Sequence, residues 1–393
     1  MAITRTSEGT VAVGLEPVRD AFEENFRSRS DVGAAFSAYL NGTKVVDIWG
    51  GDAAPGRPWD ERTLVLAFSV AKGITAFVME LLAERGQLDI GEPVATYWPE
   101  FAKNGKEAVT VEHVLTHRAG LPIVPGYWDW ISLDRPEAYL DLPRIVQGLE
   151  EAPLQWKPGT EFAYHSTTYG WILGEIVRRI TGKTLGAYLQ DEVAGPLGLT
   201  MYIGTPESVH DRVATLIPDP AYDSDEFYAH LAPDLPGGQT AFIGRERRFG
   251  EAVLHAYNDP QMWRAESPAA NGIMDARSLA RLYAVLANGG ELDGVSLLSP
   301  RSIGEWSAIR VDQKDLYDGR DFRIALGYIG SSSWYRMGLG PRTFGDPGMG
   351  GAVGYADPDA GLSFAFIPNR MVFSPGKTDS RVNALSEAIY GCL

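Results

Sequence analysis

The chain has 393 residues, of which 45% are hydrophobic and 11% aromatic, and its formal net charge is −16. This length exceeds what one hydrophobic core usually organises, so we expect two domains. A strongly acidic surface repels the phosphates of nucleic acids and anionic membranes, so neither is an expected partner. The single cysteine, Cys392, rules out an internal disulfide and argues against a cysteine-based metal site or nucleophile.

The sequence shows no targeting or membrane-spanning segment. Residues 1–7 lack the apolar core of a signal peptide. No apolar run reaches the length of about 18 residues that a transmembrane helix needs. These features predict a cytoplasmic protein.

The first elements predicted in chain order are a helix and a β-hairpin. Residues 15–27 carry apolar side chains at intervals of four, which is the spacing of an amphipathic helix. Two apolar stretches, 34–40 and 44–49, flank Asn41-Gly42, a dipeptide typical of tight hairpin turns. The hairpin is predicted to begin an antiparallel sheet.

A long helix is predicted from Val70, because apolar residues recur at helical spacing until Arg85 and a glycine end it. Ser69 lies at its first turn, and Lys72 lies three residues later on the same face. A lysine held neutral by burial can take the proton of a serine and make it a nucleophile. The alternative is that Ser69 only caps the helix. A second Ser-x-x-Lys, at 374–377, encloses a proline and a glycine and is predicted to be a loop.

The middle of the chain is predicted to be helical and rich in loops. Residues 110–122 fit a short capped helix followed by glycine and proline, and residues 167–180 fit a longer helix. The aromatic loop 121–136 is interpreted either as a pocket wall or as a lid over a small separate core. Residues 205–265 show little periodicity and are interpreted as loops around a cleft.

Strand signals return near the end of the chain. A helix is predicted over 275–288 and another over about 379–390. Strands are predicted at 325–329, 343–345, 351–355 and 362–367.

Sheet signals at both ends of the chain, with helices between them, predict how the domains are organised. We expect a discontinuous α/β (α+β) sheet domain made of residues 1–75 and 266–393. A mostly helical domain with cleft loops, residues 76–265, would be inserted in it.

Five stretches together resemble one enzyme family. They are Ser69 to Lys72, 115–122 (LTHRAGLP), 158–183, 267–290 and 344–369. In this order they resemble the β-lactamase-related serine hydrolases, in particular the family VIII carboxylesterases, over roughly residues 10 to 390. The resemblance implies the fold of class C β-lactamases and penicillin-binding proteins. This fold has an antiparallel sheet flanked by helices, an inserted mostly helical domain, and an active site between them. The resemblance also implies that no cofactor is used.

The resemblance implies a role for each motif residue. Ser69 would be the acylated nucleophile, Lys72 would take or relay its proton, and Tyr164 would work with Lys72 as general base and then general acid. The family's Tyr-x-Asn motif ends here in Ser166, a departure that favours ester over β-lactam chemistry. The backbone N–H groups of Ser69 and Met349 would form the oxyanion hole.

The third family motif, usually Lys-Thr-Gly or His-x-Gly, corresponds here to Asp346-Pro347-Gly348. A carboxylate in place of a cation argues against a substrate that carries a carboxylate, as penicillins do. It suggests a substrate that is neutral or cationic near that position. The alternative is that Asp346 merely caps the turn at Pro347-Gly348.

Several residues are predicted to contact the substrate. Aromatic residues near 127–130 and 334–335 suggest a hydrophobic or aromatic substrate. For His165 the alternative is a surface or packing role. The predicted contacts are Tyr127, Trp128, His165, Ser166, Trp334, Asp346 and Gly348.

Other functional classes fit the sequence less well. The Gly-x-Ser-x-Gly elbow of α/β-hydrolases is absent. His113 and His117 have the spacing of metal ligands, but no glutamate follows His113 as zinc proteases require, and no metal site is expected. A penicillin-binding-type receptor that is acylated without turnover remains open, as do an amidase, a D-aminopeptidase, a weak β-lactamase and an acyltransferase.

The sequence therefore predicts a serine carboxylesterase. It would hydrolyse small or hydrophobic carboxylic esters through an acyl-enzyme on Ser69. The expected partner is a small-molecule ester.

Overall fold

The computed structural model of the protein describes residues 7–124, 126, 131, 133–230, 249–374 and 377–393. Its main feature is a ten-stranded sheet in which all pairs of neighbouring strands are antiparallel. The strands, in chain order, are β1 (Glu8–Val11), β2 (Gly33–Leu40), β3 (Thr43–Ala54), β4 (Arg57–Pro58), β5 (Val65–Leu66), β6 (Met201–Tyr202), β7 (Ile217–Pro218), β8 (Ile273–Met274), β9 (Glu291–Leu292), β10 (Val295–Ser296), β11 (Val311–Lys314), β12 (Asp321–Ile324), β13 (Ile329–Gly330), β14 (Phe344–Pro347), β15 (Val353–Asp357), β16 (Leu362–Pro368) and β17 (Arg370–Met371).

The order of strands in the main sheet is β1-β3-β2-β16-β15-β14-β13-β12-β11, with β4 paired to β3. Strands from the two ends of the chain therefore meet at the β2–β16 pair. The hairpin prediction is confirmed, because β2 and β3 pair around Asn41 and Gly42. Both turn residues have positive φ angles, 50° and 75°, which asparagine and glycine tolerate best.

Fourteen α-helices lie in the part of the chain that the structure describes. They are α1 (Glu16–Ser28), α2 (Val70–Glu84), α3 (Val94–Tyr97), α4 (Val111–Leu115), α5 (Leu142–Glu151), α6 (Thr168–Thr181), α7 (Leu185–Leu189), α8 (Gly195–Leu197), α9 (Asp225–His230), α10 (Phe249–Tyr257), α11 (Pro260–Arg264), α12 (Ala276–Ala287), α13 (Pro300–Trp306) and α14 (Ser380–Tyr390). Shorter 3₁₀ and π turns connect some of them.

The main sheet has helices on both faces. On one face, α1 and α14 pack together over a core that contains Phe22, Phe364 and Leu385. On the other, α12 lies against β2, β15 and β16, and α2 lies against β14. This arrangement confirms the predicted antiparallel sheet flanked by helices, while the division into two domains stays a prediction.

Helix α2 is more deeply buried than its sequence period suggests. All its residues from Val70 to Leu82 are buried. Helices α6, α7 and α13 and strand β14 surround it. A helix enclosed in this way holds the side chains at its first turn in fixed positions.

The strand predicted at 325–329 is wrong over most of its length. β12 ends at Ile324 and β13 begins at Ile329, so residues 325–328 form the turn between them. Gly327 has a φ of +81°, and its amide donates to the Ala325 carbonyl. Residues 325–328 are apolar because the turn is buried.

A separate three-stranded sheet, in the order β5-β8-β6, leads into α2. The pairing of β5 with β8 holds the start of α2 next to the segment that follows residue 265. No helix in the described ranges is both long and apolar enough to cross a membrane.

Candidate active site

Ser69 lies at the junction between β5 and α2. The Ala67 amide donates to the Gly272 carbonyl at 2.9 Å, which ties the end of β5 to the segment before β8. Phe68 has a φ of 49°, an uncommon value for a bulky residue, and its ring packs on Tyr257. Ser69 is the N-cap residue of α2, but its side chain makes no capping hydrogen bond. Its partly exposed hydroxyl is therefore available for chemistry.

Lys72 reaches Ser69 from one turn further along α2. Its Nζ lies 3.2 Å from Ser69 Oγ and 2.8 Å from each of two backbone carbonyl oxygens, those of Ser166 and Ala269. A neutral amine has two N–H donors and one lone pair. When the two carbonyls accept the two N–H groups, the lone pair is left for the proton of Ser69.

Burial changes the proton affinity of Lys72. The side chain is 1% exposed. Burial lowers its pKa to about 7, and the charge of Asp346 opposes this shift. A substantial fraction of Lys72 is therefore neutral at physiological pH, as a general base requires.

Tyr164 lies beside Lys72, with the Lys72 Nζ 4.7 Å from the centre of its ring. The ring packs against His117 at 4.7 Å and against Phe322 at 5.5 Å. The Tyr164 amide donates to Asp315 Oδ2 at 2.7 Å. These contacts fix both the ring and the backbone of Tyr164.

The Tyr164 hydroxyl is held in its neutral form. Burial raises its pKa, and the nearby Asp346 adds to the shift. A hydrogen-bonding interaction with Ser69 and the charge of Arg320 act in the opposite direction but are outweighed. In the free protein the Tyr164 hydroxyl therefore keeps its proton at a pH where part of Lys72 is neutral.

The turn after β14 faces the start of α2. A Cβ placed on Gly348 would lie 2.2 Å from the Ala67 carbonyl oxygen, so only glycine allows this approach. Neither the Ser69 amide nor the Met349 amide donates a hydrogen bond to another residue that the structure describes. On the far side of the turn, Arg381 Nη2 donates to the Gly350 carbonyl at 2.7 Å.

A profile of the Beta-lactamase family matches residues 19–388 of this chain. The chain belongs to the Beta-lactamase family. It is 33% identical over 370 residues to "Esterase/beta-lactamase LipL" of Mycobacterium tuberculosis, across 91% of this chain and 82% of that protein.

Solved structures of the same fold cover nearly the whole chain. One described as a family VIII carboxylesterase is 35% identical, with a TM-score of 0.84 over 98% of this chain and 100% of that one. A penicillin-binding protein homolog from Caulobacter crescentus is 34% identical, with a TM-score of 0.82 over the same shares. The suspected family and fold are thereby confirmed.

In this Beta-lactamase family member, the adjacent residues His165 and Ser166 differ in how far they are buried. The His165 ring is fully buried: its Nε2 accepts from the Leu121 amide at 3.1 Å, and its Nδ1 lies 2.6 Å from the Ala163 carbonyl. Burial lowers its pKa to about 4. Its predicted substrate contact does not fit these backbone contacts, which favour the packing alternative. Ser166 is partly exposed and reaches the site through its carbonyl.

Asp346 lies within β14 and not at the solvent edge of the pocket. It is 1% exposed, and its Oδ1 has no hydrogen-bond partner in the described structure. Burial raises its pKa well above the usual range, and Lys72 opposes the shift. The turn-capping alternative fails for Oδ1, since that atom accepts no hydrogen bond.

Of the predicted aromatic contacts, Trp334 is partly exposed and packs on Phe322 at 4.6 Å. Because Phe322 stacks on Tyr164, Trp334 is one ring removed from that side chain. Tyr127 and Trp128 lie outside the described residues.

The two histidines considered as metal ligands accept backbone hydrogen bonds. His113 Nδ1 accepts from the Thr110 amide at 3.2 Å, as part of the capping box of α4. His117 Nδ1 accepts from the His165 amide at 3.0 Å. These contacts give both residues a structural role.

Sequence reasoning missed three groups at this site. His117, treated only as half of a histidine pair, packs against Tyr164. The carboxylate of Asp315 holds the Tyr164 amide, and the carbonyl of Ala269 accepts from Lys72. A backbone carbonyl and a lone aspartate in an aperiodic segment carry no sequence signal that would reveal these contacts.

Proposed function

We propose that this protein is a serine carboxylesterase that acts through an acyl-enzyme on Ser69. The observation that carries the proposal is the 3.2 Å approach of the Lys72 amine, with its pKa lowered to about 7, to an uncapped and partly exposed serine hydroxyl. Relatives and neighbours that share at least 30% identity with this chain and carry esterase names support ester chemistry.

Acylation would begin with transfer of the Ser69 proton to Lys72 as Ser69 Oγ bonds to the ester carbonyl carbon. The carbonyl oxygen would become an oxyanion, stabilised by the amides of Ser69 and Met349. One such donor is typically worth about 10²–10³ in rate. These amides suit the role because neither donates to another described residue.

Collapse of this intermediate would expel the alcohol part of the ester as an alkoxide. The alkoxide would take the proton from Lys72, directly or through the neutral Tyr164 hydroxyl. Water would then attack the acyl-enzyme by the same steps, with Lys72 accepting the proton of the water and returning one to Ser69. Every proton removed is returned, so no cofactor is needed.

The same acyl-enzyme could form from other acyl donors. The Mycobacterium relative is named for both esterase and β-lactamase, so a weak β-lactamase is the second candidate. Against it, Ser166 stands where the resemblance expects asparagine, and Asp346 stands where it expects a cation. The non-enzyme alternative is a receptor that is acylated once and does not turn over. The likeness to the Caulobacter penicillin-binding protein homolog is the reason to retain it.

Release of p-nitrophenol from short-chain acyl esters tests the proposal, with wild type compared with Ser69→Ala and intact mass measured on the same samples. We expect turnover and a transient acyl adduct in wild type, and neither in the variant. A stable adduct without turnover would identify the receptor alternative. Turnover that survives in Ser69→Ala would remove Ser69 as the nucleophile, and a chromogenic cephalosporin assayed in parallel measures β-lactam hydrolysis.

A further inference from the structure

Asp346 is a buried carboxyl group without an evident structural task. Its exposure is 1%, and Oδ1 finds no hydrogen-bond donor among the residues described. A buried polar atom left without a partner destabilises the folded protein, and more so if it is charged. A group retained at that cost calls for an explanation beyond packing.

The close packing of β14 on α2 brings Asp346 to the catalytic end of the helix. A Cβ placed on Gly73, the residue after Lys72, would lie 3.3 Å from Asp346 Cβ and 2.3 Å from the Tyr283 hydroxyl. The glycine therefore lets both side chains approach the helix at this level. Any larger residue at 73 would push β14 and α12 away from it.

Asp346 acts electrostatically on several titratable groups. They are Lys72 from α2, Tyr164 from the segment before α6, Tyr169 from α6, Tyr283 from α12 and Tyr335 from the segment after β13. Burial raises the pKa of each of these four tyrosines, so they stay neutral at physiological pH. Within this group, Lys72 alone can supply a positive charge to balance a carboxylate.

We propose that Asp346 is the buried counter-ion of Lys72 and acts on its amine through space, without a hydrogen bond between the two side chains. Asp346 is then a positioning residue, acting on Ser69 only through Lys72. The inference rests on the proposed function, because it takes Lys72 to be the base for Ser69.

The polar contacts of Lys72 Nζ go to Ser69 Oγ and to the carbonyls of Ser166 and Ala269, so Asp346 acts on Lys72 as a charge only. The carboxylate form of Asp346 favours the ammonium form of Lys72. The neutral acid form leaves the amine free to take the proton of Ser69. Interacting groups of this kind titrate as a pair, with midpoints that belong to both. During acylation the proton of Ser69 adds to Lys72 and later leaves with the alcohol, so Asp346 ends each cycle as it began.

The substitution Asp346→Asn keeps the shape of the side chain and removes its charge. Without the carboxylate, the ammonium form of Lys72 loses its balancing charge, so Lys72 should become neutral at lower pH. An opposite charge at close range typically shifts a pKa by about 1–3 units. We expect the acid limb of the pH profile to move down by about that amount. A merely structural role would lower stability and leave this limb in place.

The measurement is the rate at which a fluorophosphonate probe modifies Ser69 between pH 5 and 9, followed by intact mass, with kcat/KM for a p-nitrophenyl ester on the same samples. The matched control is Glu80→Gln, a buried carboxyl on the same helix about 12 Å further along its axis. Its acid limb should match that of wild type. An unshifted limb in Asp346→Asn would overturn the proposal.

A second measurement covers the case in which Asp346→Asn does not fold. In wild type, the ¹⁵N signal of Lys72 Nζ and the ¹³C signal of the Asp346 carboxyl should report the same two midpoints. Independent midpoints would overturn the proposal. If the probe rates shift as expected but no ester is turned over, the esterase proposal fails and this one stands. If esters are turned over and the acid limb does not move, the esterase proposal stands and the Asp346 proposal fails.

Discussion

Two buried basic side chains, Lys72 and Arg381, have different surroundings. The Arg381 side chain is fully buried, and its guanidinium binds Asp379 at 2.6 Å, Asp31 at 2.7 Å and the Gly350 carbonyl at 2.7 Å. Burial alone would lower its pKa, but the two carboxylates raise it above the usual value. Arg381 therefore stays charged at every relevant pH.

Lys72 is as deeply buried but has weaker compensation. Its two carbonyl acceptors carry no net charge, and its one carboxyl neighbour, Asp346, keeps an unpartnered oxygen. Burial therefore dominates, and the pKa of Lys72 falls to about 7. The comparison teaches that the number of carboxylates around a buried cation decides its role. Two carboxylates make Arg381 a fixed structural charge, whereas one leaves Lys72 able to exchange a proton.

The largest expected effect comes from Lys72→Met, which removes the amine and keeps an unbranched side chain one atom shorter. We expect kcat/KM to fall by about 10²–10⁴, the usual contribution of a positioned base. The melting temperature should also fall, because the carbonyls of Ser166 and Ala269 lose their donor and Asp346 loses its counter-ion. Ester assays and thermal unfolding on the same preparation check both points. Activity within threefold of wild type would show that another group is the base.

The next effect comes from Arg381→Met, which leaves Asp31 and Asp379 buried without their cation. Breaking a buried ion pair in this way costs about 3–5 kcal/mol of unfolding free energy. We also expect kcat to fall at temperatures where the variant is folded, because the Gly350 carbonyl beside Met349 loses its donor.

Arg342→Met is the matched control for Arg381→Met. Arg342 is 69% exposed and is paired with Asp359, and exposed pairs contribute little to stability. Urea unfolding should therefore distinguish the two arginines clearly. Equal losses in the two variants would contradict the contrast drawn here.

The smallest effect concerns Glu80, a buried carboxyl group on α2, the helix that also carries Lys72. Burial raises its pKa to about 8, although hydrogen bonds from Ser302 and Tyr328 favour the carboxylate. The unfolded chain releases this proton near pH 4.3, the folded protein only near pH 8. The contribution of Glu80 to stability is therefore full at low pH and is lost as the pH rises between these values.

Glu80→Gln should remove this pH dependence. Relative to wild type, the variant should gain at most about 2.7 kcal/mol in unfolding free energy between pH 5 and 7, because one pKa unit corresponds to about 1.36 kcal/mol. Urea titrations at the two pH values measure the difference. A stability difference that does not change with pH would show that Glu80 does not hold a proton in the folded protein.

Local patterns were sufficient to predict most elements around the site. The apolar period after Val70 and the glycine after Arg85 predicted α2, and Asn41-Gly42 predicted the hairpin of β2 and β3. The prediction failed at 325–329, where a buried turn is as apolar as a strand. It also failed within 205–265, interpreted as loops, because α9, α10 and α11 lie there and are too short to show a clear period. The cytoplasmic location and the domain boundaries stay predictions.

By itself the sequence determined the family, the sheet flanked by helices, and the pairing of Ser69 with Lys72, because these depend on local period and short motifs. Only the tertiary structure decided how basic Lys72 is, since that depends on burial and on Asp346, 274 positions away in the chain. It also decided that Asp346 faces the interior, whereas the sequence suggested the edge of the pocket. Proton affinity is set by solvent exclusion and by charges brought together through folding, and neither can be read from neighbours in the chain.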